Sequence, residues 1–478
     1  MLILAKYLFK FNTFIPKKHV ARHKFPSNVK QTMFLSAPMV TSCIVYSPHL
    51  TPRLRYAFDF LLSRSLNLSV RYTDQLADVD QGDQLTINYD QQHRNWATIN
   101  LPASGWLWQS GIQPINPGVG HYGDLITLFP VSDRTFSIPF DLPAALFYLL
   151  SRYEEYLPFT ADYHGRFPAK ASIAYQQGFL QRPVVNEWVL FFRKVAQQQG
   201  VTVSACPLAY RFLPTYDVDL AWAYRHRPLW WQLATLARDS FRWDWSTWSE
   251  RWSVLSRQQN DPYDTYDWLD GLHQKHQLKA RYFWLLSTSG RYDRGFSVSS
   301  PPFRQLFRRH QSRYSCGIHP SYRSNQDATV LDEEIRRYTQ LSGAPPSTSR
   351  QHFLKLTFPT TYRHLIRVGI QSDWSLGYPE QPGFRSGYGG PFLWYDLQKE
   401  ETTDLVLIPF QVMDGTLYRY MNLSPDAAAE QLEALINICR EHKAWLVSLW
   451  HNSSFTPGQG WVDMARVYRH FLAKASHK

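Results

Sequence analysis

The sequence predicts an α/β protein with two domains, a C-terminal deformed (β/α) barrel and a smaller α/β domain before it. Three observations support this prediction. The 478 residues exceed the size at which one hydrophobic core usually stops growing. Strand-like apolar runs alternate with segments of helical spacing. Beyond about residue 205, polar residues follow the predicted strands directly, which is where α/β barrels carry their active sites.

The N-terminal domain is predicted to span residues 39–204, after a basic and disordered extension at residues 1–38. Short apolar runs predict strands at residues 43–46, 85–89 and 126–128. Apolar residues at helical spacing predict helices at residues 53–63, 141–156 and 186–199. A polar loop is expected at residues 162–167.

The C-terminal domain is predicted to span residues 205–478. Its apolar runs predict strands at residues 211–216, 282–286, 405–410 and 445–449. The segment at residues 225–261 is rich in Trp and Arg, and we interpret it as an inserted helical excursion.

The composition narrows the class of partner. The formal net charge is +12, but Lys and Arg are scattered and no zinc-finger spacing, RNP-like string or helix-turn-helix pattern is present. An acidic glycan or a membrane surface explains the charge as well as nucleic acid does, so no specific nucleic-acid partner is expected. No apolar run approaches the roughly 20 residues of a membrane span.

The spacing of the four cysteines bears on the cellular compartment of the protein. They are far apart in the sequence and form no C-x-x-C pair, which fits neither a disulfide framework nor a zinc knuckle. They are Cys43, Cys206, Cys316 and Cys439. Reduced thiols in a cytoplasmic protein, with peripheral membrane association as an alternative, are the expected state.

Two carboxylates after a strand are the first candidates for chemistry. Asp217 and Asp219 directly follow the strand predicted at residues 211–216. Carboxylates this close repel each other unless a cation lies between them, and a divalent metal would leave one as ligand and the other as base. Taken alone, the pair is more often a solvated turn or a helix N-cap.

Four further residues have suitable chemistry. His319 lies in a Gly-x-His-Pro loop, and a neutral imidazole is a common metal ligand. His451 ends the last predicted strand and suits a general acid. Arg350 can hold a carboxylate through two hydrogen bonds, and Asp373 can orient a histidine. Each also fits a plain structural role, such as a core histidine, a salt bridge or a helix cap.

Along the chain the motifs run Asp-x-Asp, Gly-x-His, Arg, Asp-Trp and then a His that ends a strand. In this order they resemble the NodB-type polysaccharide deacetylases, carbohydrate esterase family 4 and its relatives, over residues 211–451. The resemblance implies a NodB-type barrel and a hydrolase that removes N-acetyl or O-acetyl groups from an amino sugar or polysaccharide, cleaving non-peptide amide bonds in the first case. It implies a divalent metal, with zinc first and cobalt, nickel or iron also compatible with nitrogen and oxygen ligands. It implies these assignments: Asp217 as the catalytic base, Asp219 and His319 as metal ligands, Arg350 as the arginine that holds the base, Asp373 with Trp374 as the fourth motif, and His451 as the catalytic acid.

Additional residues are expected to contact the carbohydrate. A Gly-rich aromatic loop at residues 377–396 includes Arg385, which can face a carboxylate or phosphate. We also expect Tyr322, Trp374 and Trp450 to contact the substrate. Separately, the strings at residues 151–156 and 165–168 resemble an N-terminal domain that accompanies deacetylase domains in bacteria of the Bacteroidetes type.

One position departs from the family pattern. The family usually has a second metal-binding histidine four residues after the first, where this chain has Arg323, and a guanidinium cannot ligate a metal. Asn325 or a residue of another loop is expected to complete the site. The departure leaves two alternatives open: a glycan-binding protein without catalysis, and an assembly factor in polysaccharide biosynthesis.

Overall fold

The computed structural model describes residues 39–79, 85–203, 208–287, 290–456 and 463–477. The predicted extension at residues 1–38 and Cys206 therefore lie outside the described residues. Residues 38–478 belong to one compact unit. The division of this unit at residues 204 and 205 stays a prediction.

Within the described residues, eight strands precede residue 204 and form three small sheets. They are β1 (Met39–Val40), β2 (Ser42–Tyr46), β3 (Ser69–Thr73), β4 (Leu85–Asp90), β5 (Ile99–Pro102), β6 (Val119–Tyr122), β7 (Leu125–Leu128) and β8 (Thr202–Val203). The largest sheet is parallel, in the order β3-β2-β4-β5. β1 pairs with β8 in parallel, and β6 pairs with β7 antiparallel.

In the described part of the chain, nine strands after residue 210 form the main sheet. They are β9 (Arg211–Val218), β10 (Arg281–Trp284), β11 (Ser315–Ile318), β12 (Thr348–Ser349), β13 (Ser372–Asp373), β14 (Phe392–Asp396), β15 (Glu401–Leu407), β16 (Val412–Met413) and β17 (Trp445–His451). Their order is β14-β15-β13-β12-β11-β10-β9-β17-β16. Every neighbouring pair is parallel except β14 with β15.

Twelve α-helices are present in the described residues. They are α1 (Pro52–Phe58), α2 (Leu142–Leu150), α3 (Ile173–Gln176), α4 (Val184–Gln198), α5 (Leu229–Phe241), α6 (Trp245–Leu255), α7 (Tyr266–Lys275), α8 (Pro301–Arg313), α9 (Ala328–Ser342), α10 (Thr360–Arg367), α11 (Pro425–Glu441) and α12 (Met464–Ser476). Local sequence explains several starts. For α2, the Asp141 carboxylate accepts a hydrogen bond from the Ala144 N–H at 3.0 Å, the usual role of an N-cap aspartate.

The main sheet is curled but open. Among the described strands, the two outermost, β14 and β16, do not pair with each other, so the barrel is deformed and incomplete. Its core includes a cluster of Phe283, Leu354, Trp374, Ile408, Phe410, Met413, Val447 and Leu449. The α/β fold, the deformed barrel and the smaller α/β part before it confirm the predicted fold class.

Two helix predictions differ from the structure in their extent. The helix predicted at 141–156 ends at Leu150, because Arg152 takes a left-handed backbone conformation (φ 57°) and Tyr153–Tyr156 form a 3-10 turn. The helix predicted at 53–63 becomes π-helical from Asp59 to Arg64. The excursion predicted at 225–261 contains α5 and α6. No helix among the described residues is long and apolar enough to cross a membrane.

Candidate metal centre and catalytic residues

The carboxyl end of β9 places two aspartates at one edge of the main sheet. Asp217 lies within the strand and is buried, whereas Asp219 follows the strand and keeps 34% of its side chain exposed. β9 is flanked by β10 and β17, and Asp217 is paired with His451 in the register of β17. Residues that end these parallel strands therefore meet around the two carboxylates.

Asp219, His319 and His352 form a cluster that can hold a metal ion, and we call it the metal cluster. Their ligand atoms all lie within 4.8 Å of one another. His319 Nε2 is 3.3 Å from Asp219 Oδ1, and His352 Nε2 is 3.6 Å from Asp219 Oδ2. Two imidazole nitrogens and one carboxylate oxygen are a donor set that zinc and related divalent ions accept.

The two histidines are held in the tautomer that ligation requires. His319 Nδ1 lies 2.5 Å from the Arg350 carbonyl oxygen, which only accepts, so this nitrogen must carry the proton. His352 Nδ1 lies 2.8 Å from Asp293 Oδ1. Both Nε2 atoms then face Asp219. Metal-binding histidines usually have such a partner on their second nitrogen, so the residues present fit a divalent metal.

Electrostatics favours the ionised cluster. Burial opposes the charge on Asp219, but His352, His319 and His451 outweigh it and hold the pKa of this carboxyl well below its usual range. Burial also opposes the charge on His352, yet Asp219 and Asp293 raise the pKa of its imidazole to about 9. The carboxylates of Asp219 and Asp293 therefore favour a positive charge at this position.

Local backbone geometry brings His319 to the cluster. Gly317 lies on β11 where its neighbours approach closely, and a Cβ there would meet the Phe283 ring at 2.7 Å. A larger residue would displace the end of the strand that carries His319.

His352 follows the two-residue strand β12 and is set by an unusual turn. Phe353 and Leu354, directly after it, have left-handed backbone conformations (φ 58° and 53°). The Arg166 guanidinium donates a 2.7 Å hydrogen bond to the Phe353 carbonyl oxygen. A contact from the N-terminal part of the chain thus supports the turn beside a metal ligand.

Arg350 holds Asp217 on one side of the metal cluster. Its Nη1 donates to Asp217 Oδ1 at 2.9 Å, and its Nε donates to the Trp374 carbonyl oxygen at 3.0 Å. Both side chains are buried, and burial lowers the pKa of Arg350. His319 Nε2 is 3.7 Å from Asp217 Oδ2, so Asp217 borders the cluster without being one of its three members.

Asp414 holds His451 beside the metal cluster. Its Nδ1 is 3.0 Å from both carboxylate oxygens of Asp414, which also accepts the backbone N–H of His451 at 2.7 Å. Its Nε2 is 3.8 Å from Asp219 Oδ2. Burial disfavours the imidazolium, but Asp414 and Asp219 raise the pKa of His451 to about 10. His451 can therefore carry a proton beside the cluster.

A group of rings, which we call the aromatic rim, lies next to His352. It consists of Tyr163, His164, Tyr292, Tyr322 and Phe353. The Phe353 ring centroid is 4.7 Å from that of His352, 4.8 Å from His164 and 5.1 Å from Tyr292. Tyr163 is the most exposed member, at 78%. Tyr322 thus lies near the cluster, and its contact with a substrate stays a prediction.

Three predicted site residues lie elsewhere or have other partners. Arg385 is buried and bonds to both carboxylate oxygens of Glu155 and to the Gly377 carbonyl, so it does not face a ligand. Trp450 is fully buried against Phe455 and neighbouring rings. Trp374 is 5% exposed within the core cluster.

Asp373 and Asn325 also differ from expectation. Asp373 orients no histidine: its carboxylate accepts from the hydroxyls of Ser349 and Ser375, and burial raises its pKa to about 6. The Asn325 amide donates to the Lys355 carbonyl and to Thr361, which ties the loop together instead of completing the metal cluster.

The sequence motifs did not indicate three residues of the site: His352, Asp293 and Asp414. His352 lies two residues after Arg350, in the same short segment of the sequence. It is the residue of another loop that joins Asp219 and His319 in the metal cluster. Asp414 directly follows the two-residue strand β16. Asp293 lies in the loop after β10. Polar residues beyond strand ends are the signal that such a search would use.

Comparison with known proteins adds a family and a set of distant structures. Residues 43–200 match a family of unknown function (DUF7033). This match carries no organism group or activity, so the resemblance to a Bacteroidetes-type domain stays a prediction. No curated protein matches the chain.

Several solved structures are similar at low identity. The probable polysaccharide deacetylase from Pseudomonas aeruginosa PAO1 is 13% identical, with a TM-score of 0.36 over 56% of this chain and 86% of that one. The polysaccharide deacetylase Bc1974 from Bacillus cereus is 12% identical, with a TM-score of 0.28 over 56% and 86%. Puue allantoinase is 14% identical, with a TM-score of 0.33 over 56% and 85%.

Proposed function

We propose that this chain is a metal-dependent hydrolase that removes acetyl groups, above all N-acetyl groups, from an amino sugar or polysaccharide. One observation carries the proposal. Two groups border the metal cluster: a carboxylate held by an arginine, Asp217 with Arg350, and an imidazole held by a carboxylate, His451 with Asp414. A general base and a general acid beside a metal site are what amide hydrolysis requires.

Asp219, His319 and His352 would hold the metal. Zinc is the first choice, and cobalt, nickel or iron also suit this donor set. When bound, such an ion supplies a Lewis acid that polarises an acyl carbonyl and makes a water molecule more acidic. Asp293 and the Arg350 carbonyl keep the two imidazoles oriented before any ion binds.

Asp217 is the proposed general base. The Arg350 guanidinium, 2.9 Å away and buried, holds one of its oxygens through a hydrogen bond. The second oxygen of Asp217 faces the metal cluster and can take a proton from the attacking water.

His451 is the proposed general acid. Expulsion of an amine from a tetrahedral carbon requires a proton on the leaving nitrogen, because an amine anion is a very poor leaving group. The Nε2 of His451 faces the cluster, and Asp414 favours the imidazolium that delivers this proton.

The aromatic rim supports a carbohydrate as substrate. Sugar rings pack on aromatic faces through their C–H groups, and this rim extends from His352 to the exposed Tyr163. The Lys355 ammonium lies 4.0 Å from the Tyr322 ring centroid and adds positive charge to the rim.

The missing family histidine no longer favours a non-catalytic protein. Arg323 is exposed and its guanidinium cannot ligate a metal, and His352 would provide the second imidazole instead. The free thiols of Cys43, Cys316 and Cys439 are compatible with the cytoplasmic location that we also propose.

Metal content is the first test. The parent protein, purified without a chelator or a His-tag, is expected to carry close to one equivalent of divalent metal, and Asp219→Ala is expected to carry almost none. Inductively coupled plasma mass spectrometry measures both. Absence of metal from the parent, even after incubation with zinc or cobalt, would contradict the proposal.

Asp217→Asn tests the base separately. This variant keeps the size of the side chain and, with Asp219 intact, is expected to retain metal. Acetate release from N-acetylglucosamine oligosaccharides is expected to fall at least about a hundredfold, the usual contribution of a general base. Circular dichroism checks the fold, and turnover equal to the parent would rule out this role.

A further inference from the structure

Helices α5 and α6 form a hairpin at residues 229–255 with an unusual surface. Of the fourteen large hydrophobic side chains exposed in the described residues, seven lie on it or on the turn within it. They are Leu229, Trp230, Leu233, Phe241, Trp243, Trp245 and Trp252. Monomeric soluble proteins rarely leave so many neighbouring apolar side chains uncovered.

The polarity of the hairpin is inverted. Its buried residues include Asp239 and Arg251, whose side chains form an ion pair at 2.9 Å. A helical hairpin surrounded by water normally buries its apolar side chains and exposes the charged ones. Here the charged pair is buried together with Val254, while the seven large hydrophobic side chains named above are exposed, which suits a surface that contacts an apolar phase.

The charges of the hairpin and of the residues that flank it favour an anionic surface. Residues 225–257 contain six arginines and three carboxylates. Asp239 is paired with arginines, and Asp244 caps α6 through the Thr247 N–H. Arg242 and Arg257 are exposed and form no ion pair within the described residues.

We propose that this hairpin docks on the surface of an anionic lipid bilayer. Trp and Arg are the side chains that favour the interface between headgroups and acyl chains. Helices of 13 and 11 residues are too short to cross a bilayer, which needs about 20, so they would lie in its surface. This inference is independent of the proposed hydrolase activity.

Docking would bring the candidate site close to the membrane. The hairpin belongs to the connection from β9 to β10, which begins at the edge that carries Asp217 and Asp219. Its root packs on the loop after β10: Arg227 lies 3.9 Å from the Phe296 ring centroid, and Trp222 contacts the same ring. Substrates attached to or held near the bilayer would then be within reach.

Vesicle flotation tests the inference with the full chain. The probes are vesicles of phosphatidylcholine alone and of phosphatidylcholine mixed with phosphatidylglycerol. We expect binding to the mixed vesicles, weakening as salt is added, and little binding to the neutral ones. A blue shift of tryptophan fluorescence should accompany binding. A parent protein that floats with neither type of vesicle overturns the inference.

A hairpin variant identifies the surface responsible. Trp230→Ser, Leu233→Ser, Phe241→Ser and Trp243→Ser together remove exposed apolar side chains, so folding should be unaffected. Affinity for the mixed vesicles is expected to fall at least about a hundredfold, because several large apolar groups lose burial. Arg242→Gln should weaken binding less and reduce its dependence on salt.

A matched control removes exposed aromatic side chains elsewhere. Tyr122 and Tyr175 are 50% and 46% exposed and lie outside the hairpin, so Tyr122→Ser with Tyr175→Ser should bind vesicles as the parent does. Equal vesicle binding by the hairpin variant and the parent would overturn the inference. A second result would also overturn it: light scattering shows that the parent is a dimer and the hairpin variant is a monomer, and neither protein binds vesicles. The exposed surface of the hairpin would then contact a second copy of this chain.

Discussion

His352 determines whether the candidate site has a complete set of metal ligands. It contributes the second imidazole of the metal cluster and is oriented by Asp293. We expect His352→Ala to weaken zinc binding more than about a hundredfold. Loss of a hydrogen-bond partner of a metal ligand already lowers metal affinity roughly 10- to 100-fold, and loss of the ligand itself should lower it further. Competition with a chromogenic chelator measures the affinity.

The matched control for this change is Arg323→Ala. Arg323 occupies the position where the family pattern has its second histidine, but here its side chain is exposed and cannot ligate a metal. Its replacement is expected to leave zinc affinity within about twofold of the parent. Loss of zinc in Arg323→Ala and its retention in His352→Ala would reverse our assignment of the ligand.

Asp414 is expected to act through His451. Asp414→Asn keeps the shape of the side chain but removes the charge that holds the imidazole at Nδ1. We expect kcat for acetate release to fall roughly ten- to a hundredfold, while KM and metal content stay close to those of the parent. Equal losses in metal content and kcat would instead indicate that Asp414 supports the metal cluster.

At the residue scale, the sequence indicated the right edge of the sheet but not every side chain that faces it. Asp217, Asp219, His319, Arg350 and His451 come together because each lies at or just beyond the end of a parallel strand. Spacing along the chain does not reveal which way a side chain turns in a loop. The left-handed turn after His352 and the burial of Arg385 depend on contacts with residues far away in the sequence.

At the element scale, strong patterns predicted the long strands, and pairing alone creates the short ones. The apolar runs of the first and the last strand of the main sheet in chain order predicted β9 and β17, which pair over seven residues. β12, β13 and β16 have two residues each and carry no periodicity of their own. They exist because neighbouring strands supply their hydrogen bonds.

Helix α9 supports the loop after His319 through Glu334. The carboxylate accepts the Ser321 N–H at 3.0 Å, and its other oxygen has no hydrogen-bond partner within the described residues. Burial, only partly offset by Ser321, raises the pKa of Glu334 to about 7. The folded protein therefore binds this proton more tightly than the unfolded chain does, whose pKa is close to 4.5.

This shift predicts a pH dependence that Glu334→Gln should remove. A carboxyl with a raised folded-state pKa makes stability fall as pH rises from about 4.5 to about 7, and leaves it constant above. Between these two pH values, the free energy of unfolding should fall by on the order of 3 kcal/mol. Urea unfolding midpoints between these pH values should decline less in Glu334→Gln than in the parent. Parallel pH profiles for the two proteins would contradict the assigned shift.

At the scale of the whole molecule, buried ion pairs join the N-terminal part of the chain to the barrel. Arg385 Nε donates to Glu155 Oε1 at 2.9 Å, and Arg152 donates to the same oxygen at 2.8 Å. Burial opposes the charge on Glu155, yet the two arginines hold its pKa below the usual range. A second pair, Arg53 with Glu400, lies between the same parts of the chain.

We expect this network to make residues 39–204 and the barrel unfold together. Glu155→Ala leaves two buried guanidinium groups without their shared carboxylate, and such a loss costs about 3–5 kcal/mol. The urea midpoint should fall markedly, and near-ultraviolet and far-ultraviolet circular dichroism should still report one transition. The control is Asp332→Ala, which breaks the exposed pair with Arg367 and should change stability by no more than about 0.5 kcal/mol. Two separate transitions in the parent would show instead that the predicted boundary near residue 204 divides two independently stable domains.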